Sequence, residues 1–246
     1  MIKNLKIYYI NLDRTPQRKL FMENQFSKLR LNATRVSAVD GKELSKTEVD
    51  KIIDRLKVKN EHYTLPNLGE IGVYMSHKKV WELIANQEED FALVLEDDAL
   101  IDDKLLEDID SILSLVSKNE IVDISGIPGF YKKETREINN IEIINYLTPS
   151  LMVVSNIIGK DCANILLKTF DKYGVPIDNM LQQVYKHNIK IWISKCKYVT
   201  SNYKQLGGST IQKTKKTSFE DKIRKEFLRP MYRLKTHIKN IIDYIK

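Results

Sequence analysis

The sequence FALVLEDDALIDD, residues 91–103, decides the fold of this chain. Its first five residues form an uninterrupted apolar run, which predicts a strand buried on both faces, as in a parallel sheet. Three carboxylates follow at once, Glu96, Asp97 and Asp98, and buried carboxylates need a cation, hydrogen-bond donors or water. In open α/β sheets the functional crevice lies beyond the carboxyl ends of the strands. The triplet alone leaves two interpretations open: a divalent cation carrying a phosphate ester, or a solvated acidic turn.

Composition limits the class of protein. With 246 residues and 42% hydrophobic content, the chain is long enough for one large domain with an appendage. No window reaches about 18 uninterrupted apolar residues, so we predict no spanning helix. The first apolar run ends at Ile10, too short for a secretion signal, and we expect a cytoplasmic protein. Cys162 and Cys196 lack CxxC spacing and predict free thiols, while four scattered histidines argue against a zinc hydrolase.

Strand-like and helix-like segments alternate along the chain, which predicts an α/β fold with a mixed sheet. Besides the strand at 91–95, we predict strands at 5–12, 33–39, 121–125, 150–158 and 189–193. We predict helices at 16–29, 45–58, 69–87, 104–116, 159–170 and 179–187, and an exposed hairpin or loop at 134–140. The apolar face of the first of these helices is predicted to comprise Leu20, Phe21, Phe26 and Leu29.

The first strand-to-helix junction carries candidate anion ligands. Asn11, Asp13, Arg14 and Arg18 gather where the strand ends and a helix begins at Pro16. Free backbone N–H groups and the helix dipole favour an anion there, and the arginines add bidentate phosphate contacts. Helix caps and solvent-exposed arginines are common in proteins, so this pattern alone is weak evidence for an anion site.

The net charge of +7 is concentrated near the C-terminus. Residues 203–246 carry twelve Lys or Arg and four acids, a net charge of +8, which leaves residues 1–202 at about −1. From residue 218 onward, apolar residues recur at helical spacing between the lysines and arginines, with an interruption predicted at Pro230. A basic amphipathic helix is typical of proteins that bind a membrane surface. The alternative is a helix docked on the body by its apolar face.

Six motifs in one order resemble glycosyltransferase family 25. They are YYINLDRTPQR (8–18), AVDGKEL (38–44), GEIGVYMSHKKVWE (69–82), FALVLEDDA (91–99), GKDCANILL (159–167) and PIDNMLQQV (176–184). The resemblance covers residues 1–192 and implies a nucleotide-sugar-binding fold of the glycosyltransferase A type. It also implies inverting, β-1,4-galactosyltransferase-like transfer of galactose or glucose from a UDP donor to a lipooligosaccharide or related glycan. Val73 stands where these proteins often carry Cys, which we expect to be neutral.

The resemblance implies roles for individual residues. Asp98 would ligate Mn²⁺ or Mg²⁺, with Glu96 ligating through water or contacting the nucleotide, because hard cations prefer carboxylate and phosphate oxygens. Donor-binding residues would be Asn11, Asp13, Arg14, Arg18, Asp40, Gly41, His77 and Asp97. Taken singly, His77 is also explained as a hydrogen-bonded core imidazole.

An inverting transfer requires a base for the acceptor hydroxyl. Our hypothesis is Asp178, which follows Pro176 at the start of a helix; the alternative is that Asp178 is an N-cap. Glu70 is the second candidate.

We therefore predict three parts: a UDP-sugar-dependent transferase domain at 1–202, a flexible linker or lid at 203–217, and a basic amphipathic tail at 218–246. The acceptor that the family resemblance implies is a lipid-linked glycan at the inner face of the cytoplasmic membrane. We therefore expect the protein to associate peripherally with that face. Alternatives are a receiver-like signalling domain, which is about half this length, and a non-catalytic protein that binds a nucleotide or an anionic surface. We expect no nucleic-acid binding, because the tail lacks regularly interleaved aromatic residues.

Overall fold

The computed structural model describes residues 4–61, 67–150, 153–208, 210 and 219–246. Within these ranges the chain is an α/β protein, as predicted. Its strands are β1 (Leu5–Asn11), β2 (Thr34–Ser37), β3 (Phe91–Glu96), β4 (Ala99–Ile101), β5 (Glu120–Asp123), β6 (Phe130–Ile138), β7 (Ile141–Thr148), β8 (Ser155–Gly159), β9 (Lys190–Ser194) and β10 (Val199–Ser201). Its helices are α1 (Pro16–Leu29), α2 (Lys46–Ile52), α3 (Arg55–Glu61), α4 (Leu68–Asn86), α5 (Lys104–Ser114), α6 (Lys160–Thr169), α7 (Ile177–Gln182), α8 (Val184–His187) and α9 (Phe219–Ile245), with a 3-10 turn at Gly41–Glu43.

Eight strands form one mixed sheet in the order β2-β1-β3-β8-β5-β9-β7-β6, and β10 pairs with β4 in a separate ribbon. Strand β1 runs parallel to both β2 and β3, whereas β8 is antiparallel to its two neighbours. The mixed sheet flanked by helices confirms the predicted fold class.

Strand β3 is buried on both faces, as its apolar run predicts. Its side chains alternate between two cores: Ala92 and Val94 pack on one side of the sheet, and Leu93 and Leu95 on the other. The first core is completed by α4, α6 and α7, and the second by α1 and α5. This double coverage fixes β3 at the centre of the domain.

The parallel register brings three strand ends to one edge of the sheet. Ile10 of β1 is opposite Glu96 of β3, and Asn11 is opposite Ser37 of β2. The acidic turn after β3 therefore lies beside the β1–α1 junction and the turn after β2.

Three helical predictions need correction. The single helix predicted at 179–187 is two helices, α7 and α8, which are separated at Gln183. The single helix predicted at 45–58 is two short helices, because Ile53 is extended and Asp54 accepts hydrogen bonds from the backbone N–H groups of Leu56 and Lys57, which starts α3. In α1, Leu20 is exposed and Met22 is fully buried. The buried apolar face therefore includes Met22 with Phe26 and excludes Leu20, which we had predicted to belong to it.

Residues 130–148 form the hairpin β6–β7 at the sheet edge, with Asn139 and Asn140 at positive φ in the turn. The exposed hairpin predicted at 134–140 is confirmed, but β7 itself was not predicted. Residues 151–152, inside the predicted strand 150–158, lie outside the described residues, and the strand is described from Ser155.

Helix α9 docks on the body, but by its polar face. Asn240 is buried and donates to the carbonyl oxygens of Leu147 (3.1 Å) and Gln182 (3.0 Å). The helix continues through Pro230 without the predicted interruption; Pro230 is exposed, so the carbonyl that loses its partner is near solvent.

The helices described here include none with a stretch long and apolar enough to span a membrane. Residues 209 and 211–218, which contain most of the predicted linker, are outside the described ranges, and the predicted division into three parts stays a prediction.

Candidate active site

A pocket of about 300 Å³ lies at the edge where β1, β2 and β3 end. Its walls come from the β1–α1 junction, the turn after β2, the first turns of α4 and the acidic turn after β3. Eight of the predicted site residues line it: Arg14, Arg18, Asp40, Gly41, His77, Glu96, Asp97 and Asp98. Sequence separation between these residues reaches more than eighty positions, and the parallel register brings them together.

Asp97 is held in an internal network. Its Oδ1 accepts a hydrogen bond from Arg18 Nη1 at 2.7 Å, and its Oδ2 accepts one from Asn11 Nδ2 at 2.8 Å and a longer one from Thr15 Oγ1 at 3.3 Å. Arg18 and Asp97 are both buried, and Arg18 Nη2 also donates to the carbonyl oxygen of Gly208 at 2.6 Å. Asn11 is buried beneath the pocket and does not line it. The network ties the floor of the pocket to the segment after β10.

The carboxylates of Glu96 and Asp98 have fewer hydrogen-bond donors around them than the carboxylate of Asp97. Asp98 Oδ2 accepts a hydrogen bond from Ser201 Oγ at 2.7 Å, but its buried Oδ1 has no partner among the described residues. Burial, reinforced by the charge of Glu96, raises the pKa of Asp98. Two neighbouring carboxylates with an unsatisfied oxygen at a pocket wall are the donor set that a divalent cation prefers.

The described residues contain no group of three or more His, Cys, Asp or Glu side chains placed to hold a metal ion together. A cation at Glu96 and Asp98 would therefore need oxygens from its ligand or from water. Magnesium is commonly held in this way, by one or two carboxylates together with substrate phosphates. The residues present fit such an ion.

The opposite wall depends on two glycines. A Cβ atom on Gly41 would lie 1.8 Å from the carbonyl oxygen of Leu68, and one on Gly72 would lie 2.6 Å from that of Val39. Only glycine permits this close approach between α4 and the turn after β2.

Arg14 and Asp40 form an ion pair across the pocket mouth. The hydrogen bond from Arg14 lowers the pKa of Asp40, and Asp40 also caps the 3-10 turn by accepting from the backbone N–H of Lys42. The side chain of Arg14 is 39% exposed, so it is the more accessible of the two pocket arginines.

His77 projects from α4 into the pocket wall and is buried. Its Nε2 has no hydrogen-bond partner among the described residues and lies 3.8 Å from Glu96 Oε1. The interpretation of His77 as a hydrogen-bonded core imidazole is therefore not supported for this nitrogen. On the same helix, Ser76 Oγ accepts from the backbone N–H of Val39 and fixes the turn after β2.

Like Asn11, the predicted site residues Asp13 and Glu70 lie outside the pocket lining. Asp13 is largely exposed and pairs with Arg35 and Ser37, which lower its pKa. Glu70 accepts from the backbone N–H of Asn67 and completes a capping box at the start of α4. These contacts give both carboxylates a structural role.

Asp178 is half-buried in the first turn of α7, whose N-cap is Pro176, and it is therefore not the N-cap of that helix. Its carboxylate accepts from the backbone N–H of Asn179. Burial raises the pKa of Asp178, and the charge of Glu96 adds to the rise while that of Arg229 opposes it. Asp178 does not line the pocket, but its electrostatic interaction with Glu96 places it on the side of the acidic turn.

Our sequence analysis missed Ser201 as the partner of Asp98, and it included Tyr203 and Thr210, which line the pocket, only in the linker or lid at 203–217. Ser201 reaches the acidic turn because β10 pairs with β4 across about a hundred residues of chain. No local pattern marks that pairing, so a single sequence gives no signal for it. The predicted lid begins at Tyr203, two residues after Ser201.

Comparisons with known proteins indicate the family of the chain. The family model described as "Glycosyltransferase family 25 (LPS biosynthesis protein)" matches residues 4–181. A glycosyltransferase 25 family member of Drosophila melanogaster is 28% identical over 195 residues, which are 76% of this chain and 32% of the relative. Human procollagen galactosyltransferase 2 is 27% identical over 194 residues, 75% of this chain and 31% of the relative.

A mouse relative is named "Inactive glycosyltransferase 25 family member 3" and is 28% identical over 144 residues, 50% of this chain and 24% of the relative. The chain thus spans about a third or less of the length of these relatives.

Proposed function

The chain belongs to glycosyltransferase family 25, and from this premise we propose that its pocket binds a nucleotide-sugar and transfers the sugar to a glycan acceptor. One observation carries the proposal. At the ends of the parallel strands, Glu96 and Asp98 line the same pocket as Arg14, and Asp98 Oδ1 has no partner among the described residues. Carboxylates and an accessible guanidinium at one edge suit a cation–diphosphate pair.

We propose UDP-galactose or UDP-glucose as the donor. In this proposal Arg14 contacts the diphosphate, and Asp40 and Gly41 line the nucleoside. His77 faces the sugar or the diphosphate. A Mn²⁺ or Mg²⁺ ion held by Glu96 and Asp98 would neutralise charge on the diphosphate. Asn11, Arg18 and Asp97 are positioning residues, because their polar groups are engaged with one another.

Transfer requires the acceptor hydroxyl to attack the anomeric carbon while the bond from that carbon to the diphosphate oxygen breaks. We propose that Asp178 accepts the hydroxyl proton, so that the products are the glycoside, UDP and a protonated Asp178. The raised pKa of this buried carboxyl supports the assignment, because a general base works best when its pKa approaches the working pH. Glu70 is the weaker candidate, since its carboxylate caps α4.

The acceptor proposed from the family resemblance is a lipooligosaccharide or related glycan. The relatives reported above are an insect protein and two mammalian proteins, one of which is named for galactosyl transfer to procollagen. A β-1,4 linkage, a bacterial acceptor and a cytoplasmic, membrane-peripheral location therefore remain proposals.

Release of UDP from UDP-hexoses tests the function. The full-length chain is incubated with UDP-galactose, UDP-glucose and a panel of glycan acceptors, with Mn²⁺ and with a chelator. Acceptor-dependent UDP release supports transfer. Binding of UDP without any turnover would instead favour a second candidate function, that of a non-catalytic nucleotide-binding protein. The mouse relative that is named inactive is the reason to consider this candidate.

A further inference from the structure

Helix α9 attaches to the body by polar contacts along one side. Thr236 and Asn240 are buried, one helical turn apart, and Asn240 Nδ2 donates to Thr148 Oγ1 as well as to two carbonyl oxygens. One turn earlier, the hydroxyl of Tyr232 accepts a hydrogen bond from Gln183 Nε2 at 2.8 Å. His237 Nδ1 lies 2.8 Å from Thr148 Oγ1. These side chains define the inner face of the helix.

The outer face is apolar. Its members are Met231 (65% exposed), Leu234 (59%), Ile238 (45%), Ile242 (50%) and Ile245 (76%). Successive members are three or four residues apart, which aligns them along one side of a helix. At 3.6 residues per turn, this side lies opposite Thr236. A helix on a globular protein normally buries its apolar side, so the outward apolar stripe requires another explanation.

Cations border the stripe. From Glu226 to Lys246, the residue after the end of the helix, the chain carries five Lys or Arg and two acids. Lys235, Lys239 and Lys246 fall along one margin of the stripe by helical position. Long cationic side chains at such margins can lie along apolar surface while their charged ends reach polar groups.

Aromatic side chains extend the surface onto β6. Phe130 and Tyr131 are 64% and 72% exposed. The ring of Tyr131 stacks on that of His237, with 5.1 Å between centroids, and Lys133 Nζ lies 4.0 Å from the ring centroid of Tyr244. Aromatic and basic side chains beside an aliphatic stripe are typical of helices that lie in a membrane interface.

We propose that the outer face of α9, together with Phe130 and Tyr131, binds the surface of an anionic lipid bilayer with the helix axis in the plane of the membrane. The pattern of charges beside the apolar stripe favours a lipid bilayer over a second copy of the chain as the partner of this surface. In an antiparallel two-fold contact through the stripe, the cationic margin of one helix would face the same margin of the other, and like charges across an interface oppose binding. An anionic headgroup layer instead complements them.

The helix that carries the proposed membrane surface also lies near the proposed base. Arg229, near the inner face of α9, is close enough to Asp178 for its charge to lower the pKa of that carboxyl. A bilayer bound to α9 would thus lie on the side of the molecule that carries the proposed base. Lipid binding itself does not depend on the proposed transferase activity.

Flotation with vesicles tests the proposal on the full-length chain. We expect the protein to float with vesicles of equimolar phosphatidylcholine and phosphatidylglycerol and not with phosphatidylcholine alone, and to be released in part by high salt. The double variant Ile238→Glu with Ile242→Glu should lose at least tenfold in vesicle binding. It should keep the thermal melting temperature, because both side chains are exposed. Leu56→Glu, at a 72% exposed position on α3, is the matched control and should bind like wild type.

Three results would overturn the proposal. The first is absence of flotation with anionic vesicles, and the second is undiminished flotation of the double variant. The third is a dimer in sedimentation velocity that the double variant converts to a monomer, since this would identify a second copy as the occupant of the stripe.

Discussion

Arg18 and Asp97 form a buried ion pair, with 2.7 Å between Nη1 and Oδ1, at the floor of the candidate site. The second guanidinium nitrogen of Arg18 holds the carbonyl oxygen of Gly208, 190 residues further along the chain. One side chain therefore joins helix α1, the acidic turn and the segment after β10. We interpret the pair as the element that positions the pocket.

Removal of Arg18 should destabilise the protein strongly. Arg18→Met leaves Asp97 buried without its cation, a change that typically costs about 3–5 kcal/mol of the free energy of unfolding. Urea denaturation followed by circular dichroism measures it. Arg14→Met is the matched control: the pair of Arg14 with Asp40 is more exposed, and its loss should cost less than about 1 kcal/mol. Equal losses in the two variants would contradict the positioning role of Arg18.

Asp178→Asn should separate chemistry from binding. The amide cannot accept the acceptor proton, so turnover should fall by at least about 100-fold, while UDP binding changes little. The melting temperature at neutral pH should not fall, because burial of the Asp178 charge opposes folding there. Glu70→Gln removes the charge from the capping box of α4, and we expect a modest loss of stability, about 0.5–1 kcal/mol, with turnover largely retained. A larger loss of turnover in Glu70→Gln than in Asp178→Asn would reverse the two assignments.

The stability of the ligand-free protein should respond to pH through Asp98. Burial and Glu96 raise its folded pKa, so the folded protein binds this proton more tightly than the unfolded chain. The carboxyl therefore favours folding below its unfolded pKa of about 3.9, and the benefit is lost as the pH rises through the folded pKa.

The variant Asp98→Asn lacks this titration. In chelator, we expect it to melt at a higher temperature than wild type at neutral pH, with the difference shrinking toward pH 4. Melting curves across this range measure the effect. A constant difference at every pH would mean that Asp98 is not the group responsible.

The glycine contact at the pocket wall gives a further prediction. Gly41→Ala places a Cβ against the backbone of Leu68, so helix α4 must move away from the turn after β2. We expect lower stability and a UDP dissociation constant at least about tenfold higher, since Asp40 and the α4 wall shift together. Lys42→Ala, one residue away on an exposed side chain, is the control. Unchanged UDP affinity in Gly41→Ala would place the nucleoside elsewhere.

The parts of the fold that local patterns determine could be predicted from the sequence. The buried run before Glu96, the Pro16 helix start and the alternation of strands with helices all follow from nearby residues. The break at Asp54 was missed because the helical periodicity of Val49, Ile52 and Leu56 continues across it. The competing signal was the side chain of Asp54, which starts a new helix.

The sequence predicted residues that line the candidate site, but it did not predict the hydrogen bonds and ion pairs between them. Strand ends placed Arg14, Asp40, Glu96 and Asp98 at one edge, because parallel strands end together. The commitment of Asp97 to Arg18 and of Asp98 to Ser201 depends on long-range packing, which no local pattern encodes. The same limit explains α9: its amphipathic pattern is visible in the sequence, but the inward direction of its polar face follows only from the contacts of Asn240.

Calorimetric titration of UDP and UDP-galactose into the protein, with Mn²⁺ and with chelator, tests the central claim most directly. It should be made on wild type and on Asp98→Asn. We predict binding that requires the cation in wild type and is lost in the variant. UDP binding that is equal in wild type and Asp98→Asn, or absent under every condition, would contradict the proposed nucleotide-sugar site.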